Sequence, residues 1–190
     1  MKKMAWMSFA AVAILSVAGL IRAQTQYPVQ PRGVATDIKK AELDALLAKM
    51  LASGSSVNDD VIRTFNMGNT HHVEIAMLHY AVTKPTDKPT TTAPEHSVIS
   101  EIYYTIKGSG TLVTGGTMEN AKAQDPNSNG SKTMFGPGWN GTFKDVVKRK
   151  ISEGDVTVIP PFTPHNIFDV TSDMEILVIR IDPTKGLELK

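Results

Sequence analysis

Leu43, Leu46, Leu47, Met50 and Leu51 recur at helical spacing, so residues 36–54 are expected to form one helix with a single apolar face. Thr36 or Asp37 can cap its start, and Gly54 stands where a helix is ended. From Val57 onward the period falls to two. Residues 61–65 read as a short strand. In residues 73–82 the side chains of Val73, Ile75, Met77, His79 and Ala81 share one face, read as the inward one. Residues 102–106 and 110–113 read as a hairpin turning at Lys107-Gly108-Ser109, with further strands over 146–151, 156–159, 166–170 and 175–181. The proline- and threonine-rich stretch 84–94 reads as a loop. Residues 115–144 do too, being rich in Gly, Asn, Ser and Lys with almost no apolar pattern. A loop of that length is usually functional or mobile, and Trp139 is a candidate lid residue or else a residue that pins the loop to the surface. One helix followed by many short strands and glycine-rich turns predicts a mainly all-β domain over residues 57–185, closed as a sandwich or a barrel.

The start of the chain follows a different pattern. Met1-Lys2-Lys3 is positive, residues 4–21 are apolar apart from Ser8 and Ser16, and Arg22-Ala23 precedes the polar Gln24-Thr25-Gln26. This is the layout of a secretory signal peptide over residues 1–23, cut after Ala23, and it predicts a periplasmic or secreted protein. The alternative, an uncleaved anchor, has an apolar stretch near the lower limit for spanning a bilayer. Residues 24–35, with two prolines and no periodicity, read as an extended arm.

Composition then narrows the function classes. The 190 residues include 20 Lys+Arg and 19 Asp+Glu, a formal net charge of +1. Taking Lys2, Lys3 and Arg22 away with the signal leaves 17 basic against 19 acidic residues, a net charge of −2. Such a domain has no electrostatic footprint for nucleic acid or for an anionic membrane, so the expected partner is a small molecule. The run Lys148-Arg149-Lys150 is short and reads as a solvated strand end. There is no cysteine, which excludes disulfides, thiol catalysis and thiolate ligands. Any metal must be held by nitrogen and oxygen.

Suitable donors stand in two blocks. One is His96-Ser-Val-Ile-Ser-Glu101-Ile-Tyr-Tyr-Thr-Ile-Lys-Gly108-Ser-Gly110; the other is Gly154-Asp-Val-Thr-Val-Ile-Pro160-Pro-Phe-Thr-Pro-His165. Two imidazoles and a carboxylate from separate strands form the donor set of an open metal site. Read singly, Glu101 is as well explained as a structural acid paired with a base, and His96 and His165 as turn residues. His79 is a candidate fourth ligand from the face it shares with Val73, Ile75 and Met77, or else a hydrogen-bonded wall residue. The adjacent His71-His72 point to opposite faces of a strand, make a poor chelate and are expected at the surface. If Glu101 points inward, so do Tyr103 and Thr105. Tyr103 is then a candidate catalytic residue, orienting a substrate oxygen or donating a proton, or else a barrel-wall aromatic.

Together the two blocks resemble the motifs of the cupin family of small β-barrels, commonly written G-x5-H-x-H-x3,4-E-x6-G and G-x5-P-x-G-x2-H-x3-N. His96-x4-Glu101-x6-Gly108 matches the latter part of the first, and Gly154-x5-Pro160-x-Phe162-x2-His165 most of the second. The resemblance covers about residues 60–182, with 115–144 as an inter-motif insertion. It implies a cupin-type jelly-roll β-barrel, association of two barrels into a homodimer, and a divalent metal held by His96, Glu101 and His165. Fe, Mn, Ni and Zn all suit that set. Three positions depart from the motifs: Pro94 replaces the first histidine, Phe162 the second-motif glycine and Asp169 the asparagine. What the resemblance implies for function is a metal-dependent small-molecule enzyme of oxygenase or isomerase type. The alternative is a non-catalytic module, binding a sugar or another small ligand or serving assembly, with a degenerate metal site.

Overall fold

The computed structural model describes residues 29–83 and 92–189. The expected signal segment, residues 24–28 of the arm and most of the loop 84–94 lie outside the described residues. Helix α1 spans Lys40–Ala52. The strands that follow are β1 (Val57–Asn66), β2 (His72–Tyr80), β3 (Thr92–His96), β4 (Ser100–Thr114), β5 (Thr117–Ala123), β6 (Gly138–Lys144), β7 (Val147–Ser152), β8 (Val156–Ile159) and β9 (His165–Asp182). They form two antiparallel sheets. The larger runs β1-β2-β9-β4-β7, with β8 also on β4, and the smaller runs β3-β6-β5. A mainly β structure of two such sheets with one N-terminal helix is the predicted fold class.

The helix starts later than its first capping candidates suggested. Lys39 is the N-cap, and its backbone N–H donates to Glu42 Oε1 at 3.0 Å. Gly54 ends the helix at φ +70°, a left-handed conformation that suits glycine. Met50 is buried, Leu43, Leu46 and Leu47 are half-buried, and Leu51 is exposed. Arg63 with Glu42 (2.6 Å) and Lys49 with Asp60 (2.8 Å) tie the helix to β1.

The helix corrects the reading of β2. Val73 and Ile75 line an apolar cleft together with Ile38, Leu43 and Leu177 on the helix side of the sheet. The other face of β2 carries Ala76 and Leu78 into the main core, with Ile176 and Val178 of β9. Both faces are therefore covered, and alternation alone could not say which was interior. His79 goes with the outer set.

The hairpin expected at Lys107-Gly108-Ser109 is not a hairpin. Residues 100–114 are one strand, and the two predicted strands over 166–170 and 175–181 are likewise the single strand β9. Both halves of β4 pair with β9, through register shifts between Thr105 and Thr111. Gly108 sits there at φ +84°, where a Cβ would lie 2.3 Å from the Asp173 carbonyl oxygen. In register, His165 opposes Thr114 and Arg180 opposes Glu101. On a flat sheet His165 and Glu101 would stand roughly 40 Å apart. Their side chains instead meet at 2.9 Å, so the β4–β9 pair is rolled through its bulges.

Residues 115–144 are also not a loop. They hold β5, a five-residue π-helical turn (Ser131–Phe135) and β6, and Phe143 packs with Ala93, Val113 and Phe168. Strand pairing here is carried by backbone bonds and a few apolar contacts, which is why the side-chain pattern was faint. Trp139 lies on β6 opposite Glu95 and is exposed. His72, expected at the surface, is buried because the C-terminal residues fold over it: its Nδ1 lies 3.2 Å from the Leu187 carbonyl oxygen.

Candidate metal centre

The centre forms where the sheets meet. His96 ends β3 in the small sheet, Glu101 begins β4 in the large one, and His165 begins β9. Pro94 lies two residues before His96 on the edge strand β3, where a missing N–H is tolerated. Phe162 lies in the turn before β9, and its N–H donates to the His96 carbonyl oxygen at 2.8 Å. Its φ is +55° and that of Asp169 is +49°. Phe162 thus places a large side chain where the motif has glycine and the backbone favours it, whereas aspartate tolerates this conformation much as asparagine does.

The three sequence-predicted donors converge. One ligand atom from each of His96, Glu101 and His165 lies within 4.8 Å of the others, and the residues are 4 %, 1 % and 6 % exposed. Glu101 Oε2 is 2.9 Å from His165 Nε2 and 3.7 Å from His96 Nε2. His165 Nδ1 lies 2.9 Å from the Thr163 carbonyl oxygen, a contact that keeps a proton on Nδ1 and aims Nε2 at the centre. His96 Nδ1 is buried with no hydrogen-bond partner. A buried N,N,O set with its distal nitrogen oriented by a carbonyl can hold a divalent metal.

Tyr103 joins the site and His79 does not. As strand alternation predicts, Glu101, Tyr103 and Thr105 are all buried while Tyr104 is exposed. The Tyr103 hydroxyl donates to Glu101 Oε2 at 3.2 Å. His79 faces the helix side, outside the donor group, and both its ring nitrogens are buried without a hydrogen-bond partner.

The residues missed by sequence reasoning are those behind Glu101. Arg180 stands directly opposite Glu101 on one side and Glu74 on the other, giving a rung across β2, β9 and β4. Its Nε donates to Glu101 Oε1 at 2.7 Å, its Nη1 to Glu74 Oε1 at 2.8 Å and its Nη2 to Asp59 Oδ2. Phe135, from the π-helical turn, stacks on His96 at 5.2 Å with 8° between the rings and lies 5.3 Å from the Arg180 guanidinium. A signal for Arg180 existed: a charged residue that follows Ile176 and Val178 on the same face of the strand. For Phe135 there was none.

These partners set the protonation of the site. Burial alone would raise the Glu101 pKa, but Arg180, with His165 and His96, outweighs it and holds the carboxyl well below its usual range. Burial pushes His96 down to about 3, against the pull of Glu101, so that ring is neutral. Burial also acts to lower His165, but its closer contact with Glu101 more than offsets this and raises it. Glu74 is raised to about 7 and Asp59 is raised too, in both cases by burial acting against Arg180. Tyr103 is raised well above its ordinary value by burial and then by Glu101, so its hydroxyl stays protonated.

No family model and no curated protein matches the chain. Solved structures do match, at low identity and low TM-score. BH2720 from Bacillus halodurans is 12% identical, with 85% of this chain and 92% of that one covered and a TM-score of 0.43. KdgF from Halomonas sp. is 12% identical over 68% and 82%, with a TM-score of 0.39. An uncharacterized conserved protein with a double-stranded β-helix domain from Klebsiella pneumoniae is 10% identical over 71% and 84%, with a TM-score of 0.41. At these scores the neighbours carry nothing about this chain's chemistry, which has to come from its own residues.

Proposed function

We propose that this protein is an exported, divalent-metal-dependent enzyme acting on a small molecule inside the barrel, of oxygenase or isomerase type. The observation that carries the reading is the convergence of His96 Nε2, His165 Nε2 and Glu101 Oε2, with His165 oriented by the Thr163 carbonyl. Charge supports it: Arg180, with the two histidines, holds Glu101 ionised, so the centre offers a cation an anionic oxygen beside two imidazole nitrogens. His96, Glu101 and His165 would hold the metal, which would supply Lewis acidity or dioxygen activation there.

The chain's own residues do the rest. Arg180 engages Glu101 Oε1, so it is Oε2 that faces the histidines. Tyr103 keeps its proton and acts as an orienting donor toward an oxygen in the site, in place of Glu101 Oε2. The apolar core around it excludes water from the interior.

One observation favours a second reading. Glu101 already has counter-charges in Arg180 and His165, as expected of a non-catalytic module whose metal site has decayed into an ion-pair network. Metal analysis separates the two. Under the enzyme reading, purified protein binds one equivalent of Co(II) or Zn(II), and a His96→Ala/His165→Ala variant that remains folded by circular dichroism binds none. Absence of stoichiometric metal from the wild-type protein after incubation with either ion would falsify the enzyme reading. The size of the mature protein in the periplasmic fraction tests export.

A further inference from the structure

The three donors are at most 6 % exposed, so neither a hydrated cation nor a substrate oxygen reaches them unless a covering side chain moves. We infer that Phe135 is the gate of this centre, carried on the π-helical turn Ser131–Phe135 as its hinge; the inference rests on the metal reading. The ring of Phe135 stacks on His96 and lies against the Arg180 guanidinium, so it touches both a donor and the cation that holds Glu101. It is itself only half-buried, so it meets solvent on one side and the donors on the other.

The elements around the centre divide into those that hold and those that can yield. His96, Glu101 and His165 stand on strands paired along their length. The turn carrying Phe135 is a single π-helical turn, a geometry concentrated at functional sites. Gly130 precedes it, and Gly136 follows at φ 62° and ψ −160°, a conformation essentially confined to glycine. Hydrogen bonds from Lys132 N–H to the Ser128 carbonyl (3.1 Å) and from Thr133 Oγ1 to the Asn129 carbonyl (2.9 Å) stay within the segment. The turn is tied to the C-terminal residues by Glu188 N–H, which donates to the Lys132 carbonyl at 2.8 Å. Outward motion of Phe135 thus breaks ring contacts, strains the Glu188 bond and parts the turn from β1, against which it packs, while the ligand-bearing strands keep their pairing.

The rate of Co(II) loading, followed by stopped-flow absorbance, tests this in two proteins. Phe135→Ala removes the gate and is expected to load about ten-fold faster, with equilibrium affinity changed by less than about three-fold. Lys132→Cys/Glu188→Cys places a disulfide across the tether of a chain that has no other cysteine. Oxidised, this protein is expected to load about ten-fold more slowly than the same protein after reduction, which separates gating from any folding defect. Faster loading in Phe135→Ala with no effect of the disulfide keeps Phe135 as the gate and overturns the turn as its hinge. Equal rates throughout, with one equivalent of cobalt bound, overturn the gate and leave the metal reading intact. No cobalt bound by either wild type or Phe135→Ala overturns the metal reading and the gate with it.

Discussion

The two ends of the barrel interior are built on the same strands and held together in different ways. Along β9 the inward residues run Met174, Ile176 and Val178, then Arg180; along β2 they run Leu78 and Ala76, then Glu74. At the apolar end stability follows from area removed from water, roughly 25 cal/mol per Å2, and no single contact is indispensable. At the polar end the acids are held by one shared partner, Arg180, and taking it away leaves charges buried without compensation. The first end gives the molecule its core. The second can be chemically useful only because the first makes it rigid.

Removing one residue from each end tests that difference. Arg180→Met keeps most of the volume but strands Glu101, Glu74 and Asp59 together. Breaking a single buried pair costs about 3–5 kcal/mol, and with three acids abandoned the loss at neutral pH is expected at about 5 kcal/mol or more. Leu112→Ala, at a fully buried site of the apolar end, is expected to cost about 3–5 kcal/mol through lost transfer energy and the cavity left behind. Urea denaturation at pH 7.5 measures both. A stable Arg180→Met protein would mean that the acids take up protons at little cost, and the contrast between the two ends would collapse.

The pH dependence of the polar end separates its members. Glu74, at about 7 in the folded protein against 4.5 for the free side chain, binds its proton more tightly folded than unfolded. Its contribution is therefore fully present below pH 4.5 and lost as pH rises through about 7, a change on the order of 3 kcal/mol. His96, depressed to about 3, acts in the opposite sense between 3 and 6.5, so the wild-type profile is a difference of large terms. The informative quantity is wild type minus Glu74→Gln, in chemical denaturation from pH 4 to 8. Wild type is expected to lose ground steadily to the variant as pH rises. A constant offset across that range would show that Glu74 titrates alike in the folded and unfolded chain, with no shift on folding.

The same contrast governs what could be read from sequence. His96, Glu101 and His165 were legible because each lies in a short block spaced against Gly108, or Gly154 and Pro160, and short-range spacing survives folding. Alternation from Glu101 correctly brought in Tyr103. The Glu74–Arg180–Glu101 rung was not legible, since it depends on which residues of β2, β4 and β9 share a register, and nothing local states that. His79 was assigned inward because alternation gives two faces without labelling them, and a helix made the outer one equally apolar. The hairpin in β4 was misread because a bulge at Gly108 and a turn at Gly108 look alike along one strand; only the partner β9 distinguishes them.

The smallest expected effect concerns the mouth of the polar end. Phe162 is held at φ +55° with its side chain 68 % exposed, so it stores backbone strain and gains little packing in return. A left-handed conformation costs a residue with a Cβ about 1–2 kcal/mol, a penalty that glycine escapes and alanine does not. Glycine also loosens the unfolded chain, which returns about 0.5–1 kcal/mol of that gain. Phe162→Gly is therefore expected to lie within about 0.5 kcal/mol of wild type or slightly above it, and about 0.5–1 kcal/mol above Phe162→Ala in thermal or urea unfolding. The difference between the two variants is the readout, because both lose the same ring. Since the Phe162 N–H bonds the His96 carbonyl, strain at this turn bears directly on a metal ligand. Equal stability of the glycine and alanine variants would show an unstrained turn, with the tension of the polar end confined to the charges around Arg180.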